Sequence, residues 1–293
     1  MVRLFLAISL IGVLSCSPQA PSKFSHTPQS AVVYGEDNRQ DFYEIQDPLW
    51  KSRALSTVAI ISAEKLQDVG AKFRVASEIL GGSYKLCQGE NYFEQPVVAN
   101  CSGVLVAQNI ILTAGHCILD ANDCRDQRFV FDYTVQGPRQ FPLELSKQNV
   151  YTCKKVVKRG FDKKSGDFAL VELDRNVTGR EAVDLSEGAS VGLNEEVTSI
   201  AYPTGLPVKF TPGGRVRQIS GGYFVTNLDT FSGSSGGPVF RTQTKELVGI
   251  LVRGEKDFSW DKARGCLVVN QCAEGGCRGE DVISIPHILS LIK

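Results

Sequence analysis

The stretch Phe231-Ser232-Gly233-Ser234-Ser235-Gly236-Gly237-Pro238-Val239-Phe240 sets a serine among glycines and leads into an apolar run. The glycines around Ser235 allow a tight turn in which several backbone amides converge on one point. A serine hydroxyl is a weak nucleophile at its free pKa and needs an adjacent base before it attacks a carbonyl carbon. The stretch therefore predicts a nucleophile loop, provided that a base and its partner occur elsewhere in the chain.

The base is sought among only three histidines in the 293 residues. His116 lies in Leu112-Thr113-Ala114-Gly115-His116-Cys117, directly after an apolar run that is typical of a strand. Imidazole suits proton transfer near neutral pH because its pKa lies close to the operating pH. His26 lies in a polar segment near the start of the chain, and we expect no role for it.

The carboxylate that would orient the histidine is expected at Asp167, which opens the run Asp167-Phe168-Ala169-Leu170-Val171-Glu172-Leu173. A buried aspartate fixes the tautomer of the imidazole and stabilises the imidazolium that forms. Asp162 and Asp174 are nearby alternatives. Only Asp167 stands immediately before an alternating strand, which favours it.

Short apolar runs bounded by Gly, Pro, Asn and Asp recur from Val32 onward and predict an all-β sandwich or barrel. The predicted strands are 56–62, 102–107, 109–114, 129–135, 167–173, 195–202 and 246–252. Two helices are also predicted, one from Ala63 to Leu80 and a short C-terminal one from Pro286 to Ile292, where proline is tolerated at the first turn.

The first residues predict export. Arg3 precedes an apolar run from Leu4 to Leu14, which as a helix would reach only about 16 Å and falls short of the roughly 30 Å hydrocarbon core. Residues 1–16 are therefore interpreted as a signal peptide. Its end, Val13-Leu14-Ser15-Cys16, resembles the lipobox of bacterial lipoproteins, with Cys16 as the lipidated residue; an ordinary signal peptide cut nearby is the alternative. Residues 17–31 predict a flexible tether or propeptide.

Nine cysteines are present, and eight remain when Cys16 is set aside. An even number behind an export signal predicts disulfides in an oxidising compartment. The spacings of Cys266, Cys272 and Cys277 do not fit paired CxxC zinc ligands, so no metal site is predicted.

Taken together, TAGHC (113–117), DFALVEL (167–173) and GSSGGP (233–238), in the order His, Asp, Ser, resemble the chymotrypsin-like serine peptidases. The resemblance covers residues 32–293. It implies two six-stranded antiparallel β-barrels with the active site between them and a junction near 174–190. It also implies a catalytic triad of His116, Asp167 and Ser235, and an oxyanion hole made by the amides of Gly233 and Ser235.

The disulfide pattern follows from the same resemblance. Cys101 and Cys117 match the pair that ties the histidine loop to the neighbouring strand, and closing such a loop stabilises by roughly 3 kcal/mol on a chain-entropy argument. Cys124 with Cys153 is a second expectation. The partners of Cys87, Cys266, Cys272 and Cys277 stay unassigned.

The spacing of 68 residues between Asp167 and Ser235 is short for animal trypsins and resembles the bacterial V8-like, or glutamyl endopeptidase, group. Val32-Val33-Tyr34-Gly35 resembles the mature start of that group, and Asp229-Thr230-Phe231 resembles the stretch before its nucleophile. Ser234 stands where trypsin-like zymogens carry the aspartate that pairs with a new N-terminal amine. Activation by that ion pair is therefore not expected.

The residues expected to bind the substrate are Asp229, Thr230, Leu251 and Gly254. Asp229 lies where trypsins carry the aspartate that selects arginine or lysine at P1, the residue whose carbonyl is attacked. In glutamyl-specific relatives a threonine that corresponds to Thr230 helps to bind the substrate carboxylate instead, but Leu251 replaces the histidine of those relatives. Arg253 could compensate for that histidine, and the alternative is that its side chain points to solvent. A basic P1 residue is our first expectation and glutamate the second.

The composition limits the partners. Lys plus Arg and Asp plus Glu are balanced at 32 each, so no strong field favours nucleic acid. We expect protein or peptide substrates, no cofactor, and a monomer that is secreted or held in the bacterial cell envelope, with membrane attachment through a lipidated Cys16. The alternative function is a non-catalytic peptide- or surface-binding protein of the same fold.

If maturation requires a cut before Val32, the cut would also free the domain from an anchor at Cys16. We therefore expect the active form to begin at Val32, which N-terminal sequencing of active material would check. An active species that still begins at Cys16 would contradict this hypothesis.

Overall fold

The computed structural model describes residues 32–162, 165–185 and 190–292. The predicted signal peptide, the lipidation site at Cys16 and the tether at 17–31 lie outside the described residues.

The strands in the first half are β1 (Val33–Tyr34), β2 (Gln40–Asp41), β3 (Thr57–Ser62), β4 (Leu66–Asp68), β5 (Lys72–Val75), β6 (Glu78–Ile79), β7 (Pro96–Val97), β8 (Cys101–Ala107), β9 (Ile110–Thr113), β10 (Gln127–Val130), β11 (Glu144–Ser146), β12 (Val150–Asp162) and β13 (Gly166–Leu173). Those in the second half are β14 (Glu196–Ala201), β15 (Lys209–Ser220), β16 (Tyr223–Thr226), β17 (Pro238–Arg241), β18 (Leu247–Arg253), β19 (Phe258–Asp261), β20 (Cys266–Val269), β21 (Gln271–Cys272) and β22 (Glu280–Ser284). The α-helices are α1 (Pro48–Leu55), α2 (Leu80–Ser83), α3 (Ala121–Asp126) and α4 (Ile285–Ile292). Short 3₁₀ turns occupy Phe42–Glu44, Ala63–Lys65, Gly115–Cys117, Lys147–Asn149 and Pro203–Gly205.

Two closed antiparallel barrels of six strands each form the body of the molecule, as the family resemblance implied. The first barrel has the order β10-β12-β13-β9-β8-β3 and closes through the pairing of β3 with β10. The second has the order β14-β17-β18-β22-β16-β15, closes through β14 with β15, and carries β2 as an added strand beside β15. The chain passes from the first barrel to the second between Leu173 and Glu196.

The helix predicted from Ala63 to Leu80 is wrong. After a short 3₁₀ turn, this segment forms the hairpin of β4 and β5. Gly70 at the turn has φ +89°, a left-handed conformation that glycine adopts without steric cost, and its N–H donates to Asp68 Oδ1. Most side chains from Leu66 to Arg74 are exposed or half-buried. The segment therefore has no continuous apolar stripe to bury as a helix.

The strand predicted over 129–135 also ends early, at Val130. Asp132 has a positive φ of 59°, which breaks the extended run, and its carboxylate receives the Arg180 guanidinium at 2.8 Å. Phe131, Tyr133 and Val135 are nevertheless buried. The apolar run therefore predicted burial correctly but not strand pairing.

The C-terminal helix predicted from Pro286 to Ile292 is present as α4, with Ile285 and Ile288 buried. Helix α1 was not predicted, although Asp47 followed by Pro48 is a recognisable start signal, and the Asp47 carboxylate accepts from the amides of Leu49 and Trp50. Among the described residues, no helix combines the length and the apolar character that crossing a bilayer requires.

Four disulfides join the eight described cysteines. Cys101 is bonded to Cys117 and Cys124 to Cys153, the two pairs that were expected. The pairs that the sequence left unassigned are Cys87 with Cys266 and Cys272 with Cys277. The bond of Cys87 to Cys266 closes a separation of 179 residues, and it ties the segment after α2 to β20.

A buried ion pair attaches the N-terminal segment to the second barrel. The Lys209 ammonium, 0% exposed, lies 2.7 Å from Asp41 Oδ1 and also donates to Gln95 Oε1 at 2.8 Å. Gln95 in turn donates to Asp41 Oδ2 at 2.7 Å. Burial lowers the pKa of Lys209 to about 8, because removal from water disfavours its charged form.

We expect Lys209→Met to lower the free energy of unfolding by about 3–5 kcal/mol, because the Asp41 carboxylate would stay buried without its counter-charge. Denaturant unfolding measures the change. The matched control is Lys72→Met, which removes an exposed ion pair with Glu144 and should cost at most about 1 kcal/mol. Equal losses in the two variants would contradict this account.

Candidate active site

His116 lies on the 3₁₀ turn Gly115–Cys117, which follows β9 directly. The disulfide of Cys117 with Cys101 ties this turn to the start of β8, and Arg159 Nε donates to Gly115 O at 2.7 Å. The sulfur atoms of both cysteines lie near the imidazole. Because they are bonded to each other, neither is available as a thiolate ligand for a metal.

Asp167 is the aspartate that contacts the histidine. Its Oδ2 lies 3.0 Å from His116 Nδ1, and its Oδ1 accepts from the backbone N–H of His116 at 3.1 Å. Asp167 is 7% exposed. Of the alternatives, Asp174 accepts from Thr152 N and pairs with Arg175, while Asp162 accepts from Ser165 N.

The loop around Ser235 has the tight turn that its glycines predicted. Gly233 has φ +89° and Gly236 has φ +81°. The N–H of Ser234 donates to Phe231 O at 2.9 Å, and that of Gly237 donates to Ser234 O at 2.8 Å. Within the described ranges, the amides of Gly233 and Ser235 donate no hydrogen bond, so both are available to an incoming oxygen atom.

The loop of the second barrel is held against the first barrel by Ser102, a residue that the sequence did not single out. Ser102 is fully buried on β8; its N–H donates to Ser235 O and its Oγ to Gly233 O, both at 2.8 Å. Its Oγ also accepts from Tyr202 N at 2.9 Å. No local motif marks this serine, because these partners lie 100 or more positions away in sequence.

A cavity of about 270 Å³ brings the expected groups together. His116 and Ser235 both line it, as do Thr230, Leu251 and Gly254. Leu251 is buried on β18 and exchanges backbone hydrogen bonds with the serine loop, through Gly236 N to Leu251 O and Leu251 N to Gly237 O. The side chain of Arg253 is 67% exposed and lies 4.0 Å from Asp281.

The structure does not support the expected substrate contact of Asp229. This carboxylate is absent from the residues that line the cavity. It accepts instead from the backbone N–H groups of Tyr34 and Asn38, at 2.8 and 3.3 Å. Burial raises the pKa of Asp229 to about 6. Asp229 therefore holds the N-terminal segment in place.

A different acid lines the cavity, and the sequence gave no signal for it. Glu280 begins β22 and is 1% exposed. Its Oε2 accepts from Thr230 Oγ1 at 2.6 Å, and its Oε1 accepts from the Tyr34 hydroxyl at 3.1 Å. Burial raises the pKa of Glu280 to about 8.

A family profile and two similar proteins, compared with this chain by sequence, are all peptidases. Residues 101–250, about half of the chain, match the family profile of the trypsin-like peptidase domain. A trypsin-like protease of Streptomyces glaucescens is 25% identical over 216 residues, which cover 66% of this chain and 78% of that protein. A glutamyl endopeptidase of Staphylococcus aureus (strain MW2) is 26% identical over 164 residues, covering 51% of this chain but only 45% of that protein.

Two solved protease structures align with this chain. A Glu endopeptidase in complex with MPD aligns with a TM-score of 0.47 and 16% identity, covering 89% of this chain and 97% of that one. The Vibrio cholerae VesB protease aligns with a TM-score of 0.49 and 14% identity, covering 87% of this chain and 66% of that one.

We expect Ser102→Ala to lower the free energy of unfolding by about 1–3 kcal/mol, because Gly233 O and Tyr202 N would lose a buried partner. Hydrogen exchange should also become faster at the amides of Ser234, Gly236 and Gly237. The control is Ser199→Ala, which removes an equally buried hydroxyl that donates to Pro238 O within the second barrel. Faster exchange of the serine loop in both variants would contradict a bridging role for Ser102.

Proposed function

Since this chain belongs to the trypsin-like peptidase domain family, we propose that it is a secreted serine endopeptidase that works through an acyl-enzyme on Ser235. The observation that carries the proposal is the contact of Asp167 with His116 Nδ1 beside a cavity that Ser235 also lines. Membership of the family supports the assignment of serine peptidase activity. The roles of the individual residues are our proposal.

The proposed reaction begins at the imidazole. With Nδ1–H donated to Asp167, the free lone pair lies on Nε2, which takes the proton of the Ser235 hydroxyl as Oγ bonds to the substrate carbonyl carbon. The carbonyl oxygen becomes negatively charged, and the free amides of Gly233 and Ser235 would donate to it. One such donor is typically worth about 10²–10³ in rate.

Collapse of this intermediate breaks the peptide C–N bond, and His116 returns the proton to the leaving amine. The acyl group stays on Ser235 Oγ. A water molecule then gives a proton to His116 and bonds to the acyl carbon, and release of the carboxylic acid restores the serine hydroxyl. Asp167 holds the imidazole in place through its contact with Nδ1 and stabilises the transient imidazolium.

We propose a basic P1 residue ahead of glutamate. The cavity contains the buried acid Glu280. Arg253, the residue that could compensate for the missing histidine of a glutamate pocket, also lines the cavity, but its side chain is mostly exposed and lies 4.0 Å from Asp281. A substrate carboxylate would meet like charge there when Glu280 is ionised.

Export is supported by the disulfides, since bonds of this kind persist in oxidising compartments. Lipid attachment at Cys16 remains a proposal from the sequence, with retention in the cell envelope as its consequence. Release by a cut before Val32 is the complementary proposal.

We expect a fluorophosphonate probe to label the wild-type protein at Ser235 and to leave folded Ser235→Ala unlabelled. Asp167→Asn should slow peptide hydrolysis by about 10⁴-fold, because the imidazole would hold the wrong tautomer. Peptide mapping by mass spectrometry identifies the labelled residue, and Ser290→Ala on α4 is the control that should label like wild type.

The absence of labelling in folded wild-type protein would overturn the peptidase proposal. That outcome would favour the non-catalytic peptide-binding alternative.

A further inference from the structure

We infer that Glu280 is the residue that selects the P1 side chain, through an ion pair between its carboxylate and a P1 lysine or arginine. This inference rests on the proposed peptidase function and concerns the same cavity. It assigns the role that the sequence gave to Asp229, in the loop after β16, to an acid on β22.

The first argument is placement. Glu280 lines the cavity together with Ser235 and Thr230, and it is 1% exposed. Asp229, one residue before Thr230, is outside the cavity lining, and both of its oxygens accept backbone N–H groups. A side chain that enters the cavity beside Ser235 would therefore meet the Glu280 carboxylate.

The second argument is charge. The donors to Glu280 are all neutral: the hydroxyls of Thr230 and Tyr34, and the N–H of Glu255 at 3.4 Å. Over the described ranges, Glu280 forms no ion pair. A buried carboxylate without a counter-charge is unfavourable, and a P1 cation would supply the missing charge.

The third argument is access. Gly254 lies at the cavity wall, and a Cβ built on it would overlap Glu280 Oε2. The missing side chain at this position therefore lets the carboxylate lie at the cavity wall, packed against the Gly254 backbone. A residue of any other type would displace or cover that oxygen.

Other ionisable groups surround Glu280 on each packed element. They are Tyr34 on β1, Arg217 on β15 over the Tyr34 ring, Arg253 at the end of β18, Glu255 and Asp257 after it, and Arg278 and Asp281, which flank Glu280 in sequence. Glu255 pairs with Arg278 at 3.2 Å, and Asp257 accepts from Ser232 N. Glu255 therefore has a cationic partner and Asp257 is not among the residues that line the cavity, so among the described residues Glu280 is the cavity acid without an ion pair.

Burial raises the pKa of Glu280 to about 8, so its carboxyl group is mostly protonated at neutral pH in the free protein. Attraction for a P1 cation should therefore grow as the pH rises through this value. A bound cation stabilises the ionised form, so the midpoint should be lower in the complex than in the free protein.

The test compares kcat/KM for two peptides that differ only at P1, arginine in one and its neutral isostere citrulline in the other, between about pH 6 and about pH 9. The ratio cancels the titration of the catalytic histidine, since both peptides use it. In the wild type we expect the ratio to rise with pH. In Glu280→Gln it should be lower by about 10²-fold at the high end and independent of pH.

Failure of this inference is distinguishable from failure of the peptidase proposal. Fluorophosphonate labelling of Ser235 needs no P1 contact, so it should persist in Glu280→Gln. Persistent labelling with an unchanged arginine-to-citrulline ratio would overturn the role of Glu280 alone. Faster cleavage after glutamate than after glutamine at the high end of the pH range would overturn it as well.

A second variant covers the case in which Glu280→Gln does not fold. Tyr34→Phe removes one hydroxyl donor to the carboxylate and keeps the ring, so the ionised form loses a stabilising partner. We expect the midpoint of the ratio-against-pH curve to move upward. An unmoved midpoint in folded Tyr34→Phe would contradict the inference.

Discussion

The hydrogen bonds of Ser102 are the constraint on which the geometry of the site depends. His116 and Ser235 belong to different barrels, so their separation is set by how the barrels pack. Ser102, on the first barrel, binds the carbonyl oxygens of Ser235 and Gly233 and the amide of Tyr202, all on the second. A shift of about 1 Å between reacting groups can cost about 10²-fold in rate. The buried hydrogen bonds of Ser102 therefore help to fix the position of Ser235 relative to His116.

The glycines of the serine loop serve this packing as well as the turn. A Cβ on Gly236 would overlap Ser102 O and Thr113 Oγ1, and one on Gly233 would come within 2.7 Å of Tyr202 O. Both residues also have positive φ values. Gly236 thus satisfies two conditions at once, a left-handed backbone and contact with the opposite barrel, whereas Gly233 combines a left-handed backbone with close packing against Tyr202 of its own barrel. The sequence predicted the tight turn around Ser235, but it gave no sign of the packing of these glycines against Ser102 and Tyr202.

Asp229 and Glu280 illustrate how environment decides what a buried acid does. Burial raises the pKa of both carboxyl groups, to about 6 and about 8. Asp229 accepts two backbone amides and so fixes the chain from Tyr34 to Asn38. Glu280 accepts from the side-chain hydroxyls of Thr230 and Tyr34 and lines the cavity, and within the described ranges it has no ion pair. Residue type and position before the serine made Asp229 the attractive candidate, but its carboxylate accepts from the backbone amides of Tyr34 and Asn38, and Asp229 is not among the residues that line the cavity.

The sequence by itself determined the features that depend on local pattern: most barrel strands, helix α4, and a serine loop whose residue types suit nucleophilic chemistry. It failed where neighbours override pattern, as in the hairpin of β4 and β5, where Gly70 and an exposed surface replaced a predicted helix. Only the tertiary structure decided the acid of the cavity. The Tyr34 hydroxyl reaches Glu280 across 246 positions of sequence, and no periodicity or spacing reports a contact of that length. Local propensity acts over a few residues, while a binding cavity is assembled from strand ends that the closure of a barrel brings together.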